Sequence, residues 1–110
     1  RPVIIDDLIF TVSNKGYLIV IKAKTGEIIR ATYLLNGLKK RIKHGISFEG
    51  FIIASNKIYI TTNKGKLVVY NIFDSKLNQI YKIGKSKLSE PFISDNNLYI
   101  FKNNAVVVLN

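Results

Sequence analysis

The sequence contains no cysteine, no methionine and no tryptophan, and it has few acidic residues. Without cysteine the chain can form no disulfide, no thiolate zinc site and no thiol nucleophile. Methionine is missing even at position 1. We therefore expect the chain to be a mature or trimmed part of a longer product, with any signal peptide or anchor outside it. No apolar run approaches the roughly 18 residues that a membrane-spanning helix needs.

The scarcity of acids leaves the chain strongly basic. Lysine and arginine number 17 against 7 acidic residues, which gives a formal net charge of +10. Such a charge is found in proteins whose partner is a nucleic acid, a membrane surface or an acidic protein, although this sequence carries no strong nucleic-acid signal. It is also what an AT-rich genome would encode, since solvated lysines on exposed strand faces need no partner. The hydrophobic fraction of 47% is too high for a disordered chain and suits one domain with a modest core.

An internal repeat is the most informative feature of the sequence. The turn at residues 14–16, Asn-Lys-Gly, recurs at residues 63–65, a spacing of 49. A third copy follows the second at a spacing of 40, where residues 96–100 match residues 56–60. In that alignment Asn-Asn-Ala at 103–105 replaces Asn-Lys-Gly, and residues 106–109 replace residues 66–69.

Each copy predicts the same series of short strands joined by tight turns. Strands are expected at 2–5, 8–13, 17–23 and 27–34, then at 50–54, 57–62, 66–72 and 77–83, and finally at 91–94, 98–102 and 105–109. The polar pairs Asp6-Asp7, Ser55-Asn56 and Asp95-Asn96 are expected to turn the chain, since these residue types accept turn conformations. No helical periodicity of comparable strength is present.

A four-stranded unit that repeats every 40 to 49 residues is typical of a β-propeller blade. We predict an all-β fold, a β-propeller segment of about three four-stranded antiparallel blades with the last blade incomplete. The segment is one partial propeller over 1–110, with blades at approximately 1–34, 47–84 and 89–110. A usual propeller has about 4 to 8 blades. About three blades are too few to close such a ring, so the edges of the segment stay open. Open edges predict pairing with a strand from the other end of a longer chain, or self-association.

The longer spacing between the first two copies comes from a basic loop at residues 35–46, bounded by Gly37 and Gly45. Loops on a rigid frame often carry function. The loop allows three interpretations: a solvated surface, a contact with a protein, or a contact with nucleic acid or anionic lipid. The candidate partner-binding residues are Lys39, Lys40, Arg41, Lys43 and His44.

No residue pattern predicts a catalytic, cofactor or metal site. His44 is the only histidine, and general acid–base chemistry needs partners within reach. The Asn-Lys-Gly turns lack the spacing of a phosphate-binding loop and precede strands, not helices. The strand aromatics are expected to pack between blades. They are Phe10, Tyr59, Tyr99 and Phe101.

The stretch from Leu18 to Arg30 resembles the repeats of the pyrroloquinoline-quinone-like propellers, in which an apolar strand leads into Ala-x-Asp-x-x-Thr-Gly-Lys-x-x-Trp. Val20 stands at the Ala position, Lys22 at the Asp, Thr25-Gly26 at the Thr-Gly, Glu27 at the Lys and Arg30 at the Trp. In the second copy Ser75-Lys76 replaces the Thr-Gly and Asn71 takes the Asp place. Tryptophan is absent, and nothing resembles the cofactor or calcium residues of the quinoprotein dehydrogenases.

The resemblance therefore implies the non-enzymatic branch of this family, which includes a lipoprotein propeller of the outer-membrane β-barrel assembly machine. It implies a non-catalytic protein-binding scaffold without cofactor, corresponding to the C-terminal blades, on the periplasmic side of the outer membrane. The implied partner is the outer-membrane barrel assembly protein, engaged by strand addition or through a loop face. The alternatives are a fragment of a pyrroloquinoline-quinone-type dehydrogenase propeller and a basic nucleic-acid-binding β domain.

Overall fold

The computed structural model describes residues 2–102 and 105–109, which form three antiparallel sheets. Sheet 1 contains β1 (Val3–Ile5), β2 (Leu8–Val12), β3 (Tyr17–Lys22) and β4 (Ile28–Tyr33). Sheet 2 contains β5 (Phe48–Ala54), β6 (Lys57–Thr62), β7 (Lys66–Asn71) and β8 (Leu77–Lys82). Sheet 3 contains β9 (Phe92–Ser94), β10 (Asn97–Lys102) and β11 (Ala105–Leu109). Consecutive strands are neighbours in every sheet, so the predicted all-β, blade-like fold is confirmed.

Tight turns join the first two strands of each sheet. The turn residues with positive φ are Asp6 (53°), Ser55 (50°), Asn56 (63°), Asp95 (52°) and Asn96 (66°). Polar side chains that tolerate the left-handed region suit such hairpins. Asp6 and Asp7 thus lie in a turn, as the sequence predicts.

Sheets 1 and 2 have the same strand register when their residues are aligned at the 49-residue spacing. Phe10 pairs with Val20 in sheet 1, and Tyr59 pairs with Val69 in sheet 2. Both sheets also carry a bulge at the same step between the third and fourth strands, after Val20 and after Val69. The repeat therefore preserves the irregularities of the sheet as well as its strands.

The predicted alignment of the third copy is wrong by one residue in its last strand. Phe101 pairs with Val106, and its counterpart Thr61 pairs with Leu67. The spacing is therefore 40 in the second strand but 39 in the third. The reason is a shorter turn, because Lys102 already pairs with Ala105 and two residues separate them. A one-residue shift matters, since it exchanges the two faces of a strand.

Sheet 2 is buried on both faces. A first cluster joins its Phe51, Ile58, Ile60, Val68 and Tyr70 to Phe10, Leu18 and Val20 of sheet 1. A second cluster joins its Leu67 and Val69 to Leu88, Leu98 and Ile100 at sheet 3. Burial on both sides explains why β7 reads as an unbroken apolar run from Leu67 to Tyr70 rather than as an alternation.

The predicted packing of strand aromatics between blades is confirmed for Phe10 and Tyr59 and stays a prediction for Tyr99 and Phe101. Phe10 is buried between sheets 1 and 2, and Tyr59 packs against the second cluster. Tyr99 and Phe101 instead lie on the face of sheet 3 that points away from sheet 2. Within the described residues they contact Phe92, with ring centroids 5.2 and 5.9 Å apart. Their parity on β10 decides this, because Leu98 and Ile100 face sheet 2.

The connection between sheets 1 and 2 contains two short helices that the sequence did not predict. A 3₁₀ turn spans Leu34–Gly37, and a single α-helical turn, α1, spans Lys40–Lys43. Elements this short have no periodicity to detect. The apolar residues of the connection are buried in the first cluster: Leu34, Leu35, Leu38 and Ile46. No helix in the described part of the chain is long and apolar enough to cross a membrane.

The antiparallel meanders place their connections at two opposite ends of the molecule. One end carries the β2–β3 and β6–β7 turns together with both connections between sheets. Backbone bonds join these segments: Phe48 N donates to Asn14 O (3.0 Å), Asn63 N to Ser47 O (3.1 Å) and Leu88 N to Thr62 O (3.0 Å). We call this the basic end. The opposite end carries the β1–β2, β3–β4, β5–β6, β7–β8 and β9–β10 turns.

Candidate functional site

The predicted partner-binding residues lie in a single turn at the basic end. Lys39 is the N-cap of α1, and the amide of His44 closes the turn by donating to the Lys40 carbonyl at 3.1 Å. Lys39, Lys40, Arg41 and His44 are exposed, and Lys43 is half-buried. We call residues 39–44 the basic segment. Because α1 is a single helical turn, successive side chains point to different sides of it, and the cations are not all on one face.

Apolar side chains and one asparagine fix the basic segment to the sheets. Leu38 and Ile46 are buried on either side of it, and Ile42 packs against the same cluster. Asn63, in the β6–β7 turn, accepts from the Ser47 amide at 2.7 Å and donates to the Gly45 carbonyl at 3.0 Å. The backbone of this segment is therefore anchored to the frame, although its charged groups are in solvent.

The cations of the basic segment have no carboxylate partner among the described residues. The ion pairs among the described residues lie outside the segment and join Lys24 to Asp7 (3.9 Å) and Lys87 to Glu49 (3.4 Å). Lys43 instead places its ammonium 5.1 Å from the centroid of the Tyr33 ring, a cation–π contact. Tyr33 in turn packs on Tyr17, with ring centroids 4.9 Å apart. The segment thus offers free positive charge beside a pair of aromatic rings.

Charge separates between the two ends of the molecule. The connections at the basic end carry one acid, Glu90, and Glu49 at the start of β5 pairs with Lys87 there. The cations of these connections are Lys15, Lys39, Lys40, Arg41, Lys43, Lys64, Lys85 and Lys87. The turns at the opposite end carry Asp6, Asp7, Glu27, Asp74 and Asp95, with Lys24 and Lys76 among them. This separation was not predicted from the sequence. Its signal is the regular alternation of turns, which assigns every second turn of the repeat to one end.

His44 is far from the carboxylates of Asp6 and Asp7, which lie at the opposite end. Within the described residues there is no group of three or more histidine, cysteine, aspartate or glutamate side chains that could hold a metal ion. The predicted partner-binding residues are close together because they are consecutive in the sequence. The fold adds one more cation to this group, Lys64, whose side chain lies beside Gly45.

Solved structures share this arrangement of sheets. The computationally designed Ika4 protein matches with a TM-score of 0.71 and 15% identity, covering 98% of this chain and 62% of its own. BamB from Moraxella catarrhalis matches with a TM-score of 0.70 and 18% identity, covering 98% of this chain and 30% of its own. The Cps50 (Swd1) β-propeller domain of Myceliophteria thermophila matches with a TM-score of 0.54 and 9% identity, covering 88% and 46%.

The chain has the fold of β-propeller blades. It spans between 30% and 62% of the length of these three structures. The sequence matches no protein-family model and no curated protein sequence. The resemblance to pyrroloquinoline-quinone-like repeats therefore stays a prediction, while the predicted propeller fold is confirmed.

Arg30 joins two neighbouring blades and was not predicted as a functional residue. It stands at the position that the resemblance assigns to tryptophan. Its Nη1 donates to the Phe73 carbonyl at 2.8 Å and its Nη2 to the Ile72 carbonyl at 2.7 Å, so β4 of sheet 1 holds the β7–β8 turn of sheet 2. Hydrogen bonds from a charged donor thus connect the blades here. The departure from the family pattern at residue 30 was the signal available in the sequence.

Proposed function

We propose that this chain acts as a non-catalytic protein-binding scaffold whose basic end docks on an acidic surface of a partner protein. The observation that carries the proposal is the anchored basic segment, whose cations have no carboxylate partner among the described residues. A fixed backbone reduces the entropy lost on docking, and unpaired cations steer an acidic partner towards this end.

The aromatic pair beside the basic segment supports a protein partner. Tyrosine is among the residues that most often dominate the binding energy of protein interfaces. Tyr17 is exposed and packs on Tyr33, while Lys43 covers the Tyr33 ring. Lys43 and the two rings thus form a surface in which aromatic area and positive charge adjoin.

The more specific version of the proposal is a role in assembling outer-membrane β-barrel proteins. It is supported by the repeat resemblance of residues 18–30 and by the fold that the chain shares with BamB. In this version the partner is the barrel assembly protein, and the protein works on the periplasmic side of the outer membrane. The dehydrogenase alternative has no comparable support, since the chain lacks the tryptophans of that branch.

A nucleic-acid-binding β domain is the second candidate. The same aromatic pair favours it, because exposed rings beside cations can stack on unpaired bases. The two candidates differ in their response to salt, since neutralising several phosphates makes nucleic-acid binding fall steeply as salt rises.

The test compares partners and a charge-reversal variant of the basic segment. Isothermal titration calorimetry would measure binding of the protein to the periplasmic domains of the barrel assembly protein from the same cells, and to single-stranded DNA. Lys39→Glu, Lys40→Glu and Arg41→Glu are combined, because these side chains are exposed and make no described contact. We expect the protein domains to bind and the triple variant to weaken binding by about 100-fold, roughly 2.7 kcal/mol.

The matched control reverses three exposed cations near the opposite end: Lys22, Lys24 and Lys76. It changes the net charge equally, so we expect it to leave binding within about threefold of the unchanged protein. Equal losses in both variants would show that net charge, not the basic segment, attracts the partner. Steeply salt-dependent binding of DNA without binding of the protein domains would replace the scaffold with the nucleic-acid candidate.

A further inference from the structure

A cavity of about 570 Å³ opens between sheets 1 and 2 at the end opposite the basic segment. Its wall is mainly apolar and includes Leu8, Ile29, Ile53 and Phe73. Arg30 and Ser55 also line it. A volume of several hundred Å³ with apolar walls and few polar groups is typical of small-molecule sites.

Arg30 places an incompletely satisfied cation in the wall of this cavity. Its two terminal nitrogens donate to the carbonyls of Ile72 and Phe73. Its Nε is buried and has no hydrogen-bond partner among the described residues. Asp6, which also lines the cavity, forms no ion pair with Arg30. Each terminal nitrogen of Arg30 keeps a second N–H without a partner among the described residues, and no carboxylate there neutralises the charge. A cation with free donors therefore lies next to apolar side chains.

A β-bulge brings a second residue of β4 to the cavity. Val20 pairs with Arg30 and Ile21 with Ile28, so Ile29 is the additional residue of the bulge. Bulges re-aim side chains and are frequent next to functional sites. Ile29 and Arg30 are consecutive, yet both line the cavity, so an apolar surface and a cation adjoin there.

The corresponding cleft between sheets 2 and 3 differs in charge. It has a volume of about 450 Å³, and its lining includes Tyr81, Asn96 and Leu98 but no lysine, arginine, aspartate or glutamate among the residues that the structure describes. The register position of Arg30 is occupied there by Gln79, which pairs with Val69 as Arg30 pairs with Val20. A cation thus lines the cavity between sheets 1 and 2, and none of the described residues supplies one to the cleft between sheets 2 and 3.

We propose that the cavity between sheets 1 and 2 binds a small amphipathic monocarboxylate, with the carboxylate on the free N–H groups of Arg30 Nη1 and Nη2 and an alkyl or aryl body against Ile29, Ile53 and Phe73. Hydrogen bonds between ionised partners are the stronger kind, and a carboxylate supplies the acceptor that Arg30 lacks. The apolar wall favours a hydrocarbon body over a sugar or nucleotide. This site is independent of the scaffold proposal, because it lies at the other end of the molecule.

The binding test uses decanoate, with decanol as an uncharged probe of the same chain length. Isothermal titration calorimetry gives the affinity, and amide chemical shifts of Ile29, Ile53 and Phe73 locate the site. We expect saturable binding of decanoate at one site and at least about tenfold weaker binding of decanol. Decanoate that shifts only amides at the basic end would overturn the proposal, as would the absence of saturable binding.

Two matched variants of Ile29 isolate the charge. Ile29 is 54% exposed, so Ile29→Asp and Ile29→Asn should both fold, and they differ only in charge. We expect the Asp variant to lose about tenfold more decanoate affinity than the Asn variant, because its carboxylate competes for Arg30. Decanol should not distinguish the two. Equal decanoate affinities in the two variants would show that Arg30 does not hold the carboxylate.

Discussion

Gly26 and Gly65 have the same backbone conformation, but only Gly65 also lies against another backbone segment. Their φ angles are 76° and 75°. A methyl group at Gly26 would meet nothing within 4 Å, whereas at Gly65 it would lie against the backbone of Gly84. The Gly65 carbonyl accepts from the Ile83 and Gly84 amides, both at 2.9 Å, which explains the close approach.

These two glycines give a matched pair of substitutions. We expect Gly26→Ala to lower the free energy of unfolding by about 1 kcal/mol, the usual cost of a left-handed alanine. Gly65→Ala should cost at least about 2 kcal/mol more, because it adds a backbone clash to the same strain. Urea unfolding followed by circular dichroism measures both. Similar losses would show that the β6–β7 turn can move away from Gly84.

Tyr70 connects the sheet core to the connection between sheets. Its hydroxyl donates to the Leu34 carbonyl at 3.0 Å, and the side chain is fully buried. We expect Tyr70→Phe to lower the free energy of unfolding by about 1–2 kcal/mol at pH 7, because the buried Leu34 carbonyl loses its partner. Urea unfolding at neutral pH measures this loss. Unchanged stability would indicate that another donor can reach Leu34.

The same residue makes stability depend on alkaline pH. Burial raises the pKa of the Tyr70 hydroxyl well above its usual value of about 10. Above about pH 10 the unfolded chain therefore releases this proton while the folded chain keeps it, and stability falls as pH rises, by up to ~1.4 kcal/mol per pH unit. Stability curves between pH 9 and about pH 11 should decline less steeply for Tyr70→Phe. Parallel curves would contradict the assignment.

At the scale of elements, the connection between sheets 1 and 2 divides into buried anchors and exposed charges. Leu38 is buried in the first cluster, while Lys39, Lys40 and Arg41 are exposed. We expect Leu38→Ala to lower the free energy of unfolding by about 2–4 kcal/mol, through lost burial and a residual cavity. The triple reversal of the three cations to Glu should change it by no more than about 0.5 kcal/mol.

Thermal unfolding monitored by circular dichroism separates these two cases. A large loss in the triple variant would mean that the charges also hold α1 in place. Any weaker partner binding by that variant would then be a folding effect. A mild effect of Leu38→Ala would mean that α1 can detach from the sheets without cost.

At the scale of the whole molecule, the two outer sheets each present an apolar face. Sheet 3 exposes Phe92, Phe101, Val106 and Val108, and the half-buried Tyr99 lies on the same face. Sheet 1 exposes Ile4 and Ile28 in one cross-strand row with Ile9 and Ile21. By register, Tyr99 and Val108 occupy the places of Tyr59 and Val69, which face sheet 3. The outer faces are thus equivalent to faces that pack inside the molecule.

These faces predict self-association of the 110-residue chain, with the outer face of sheet 3 on the outer face of sheet 1 of another copy. Exposed apolar patches of this kind mark interaction surfaces. The sequence predicted association through blade edges, which stays a prediction beside this one. We expect Phe101→Lys and Ile4→Lys each to raise the concentration at which sedimentation velocity detects association by about tenfold.

The control is Asn36→Lys, which adds the same charge at an exposed position of the 3₁₀ turn. It should leave association unchanged. An equal effect of all three variants would indicate that added net charge, and not the loss of apolar contact, keeps the copies apart. A chain that stays monomeric at every concentration would contradict both the face and the edge predictions.

The sequence by itself determined the blade repeat, the strands and the turns. Asn-Lys-Gly and the Asp and Asn pairs are local signals, because a residue that accepts positive φ can be recognised without its neighbours. Alternating and continuous apolar runs likewise follow from the period of two along a strand. Such local signals were enough for the fold class, but not for the register of β11, where the turn is one residue shorter.

Only the tertiary structure decided which side chains meet across the sheets. The anchors Leu38 and Ile46, the Arg30 bridge to Ile72 and Phe73, and the separation of charge between the ends depend on how sheets 1 and 2 stack. A lysine in a turn looks the same in the sequence at either end of the molecule. Long-range contacts carry no local pattern, so the anchored basic segment and the charged cavity became visible only when the sheets were placed against each other.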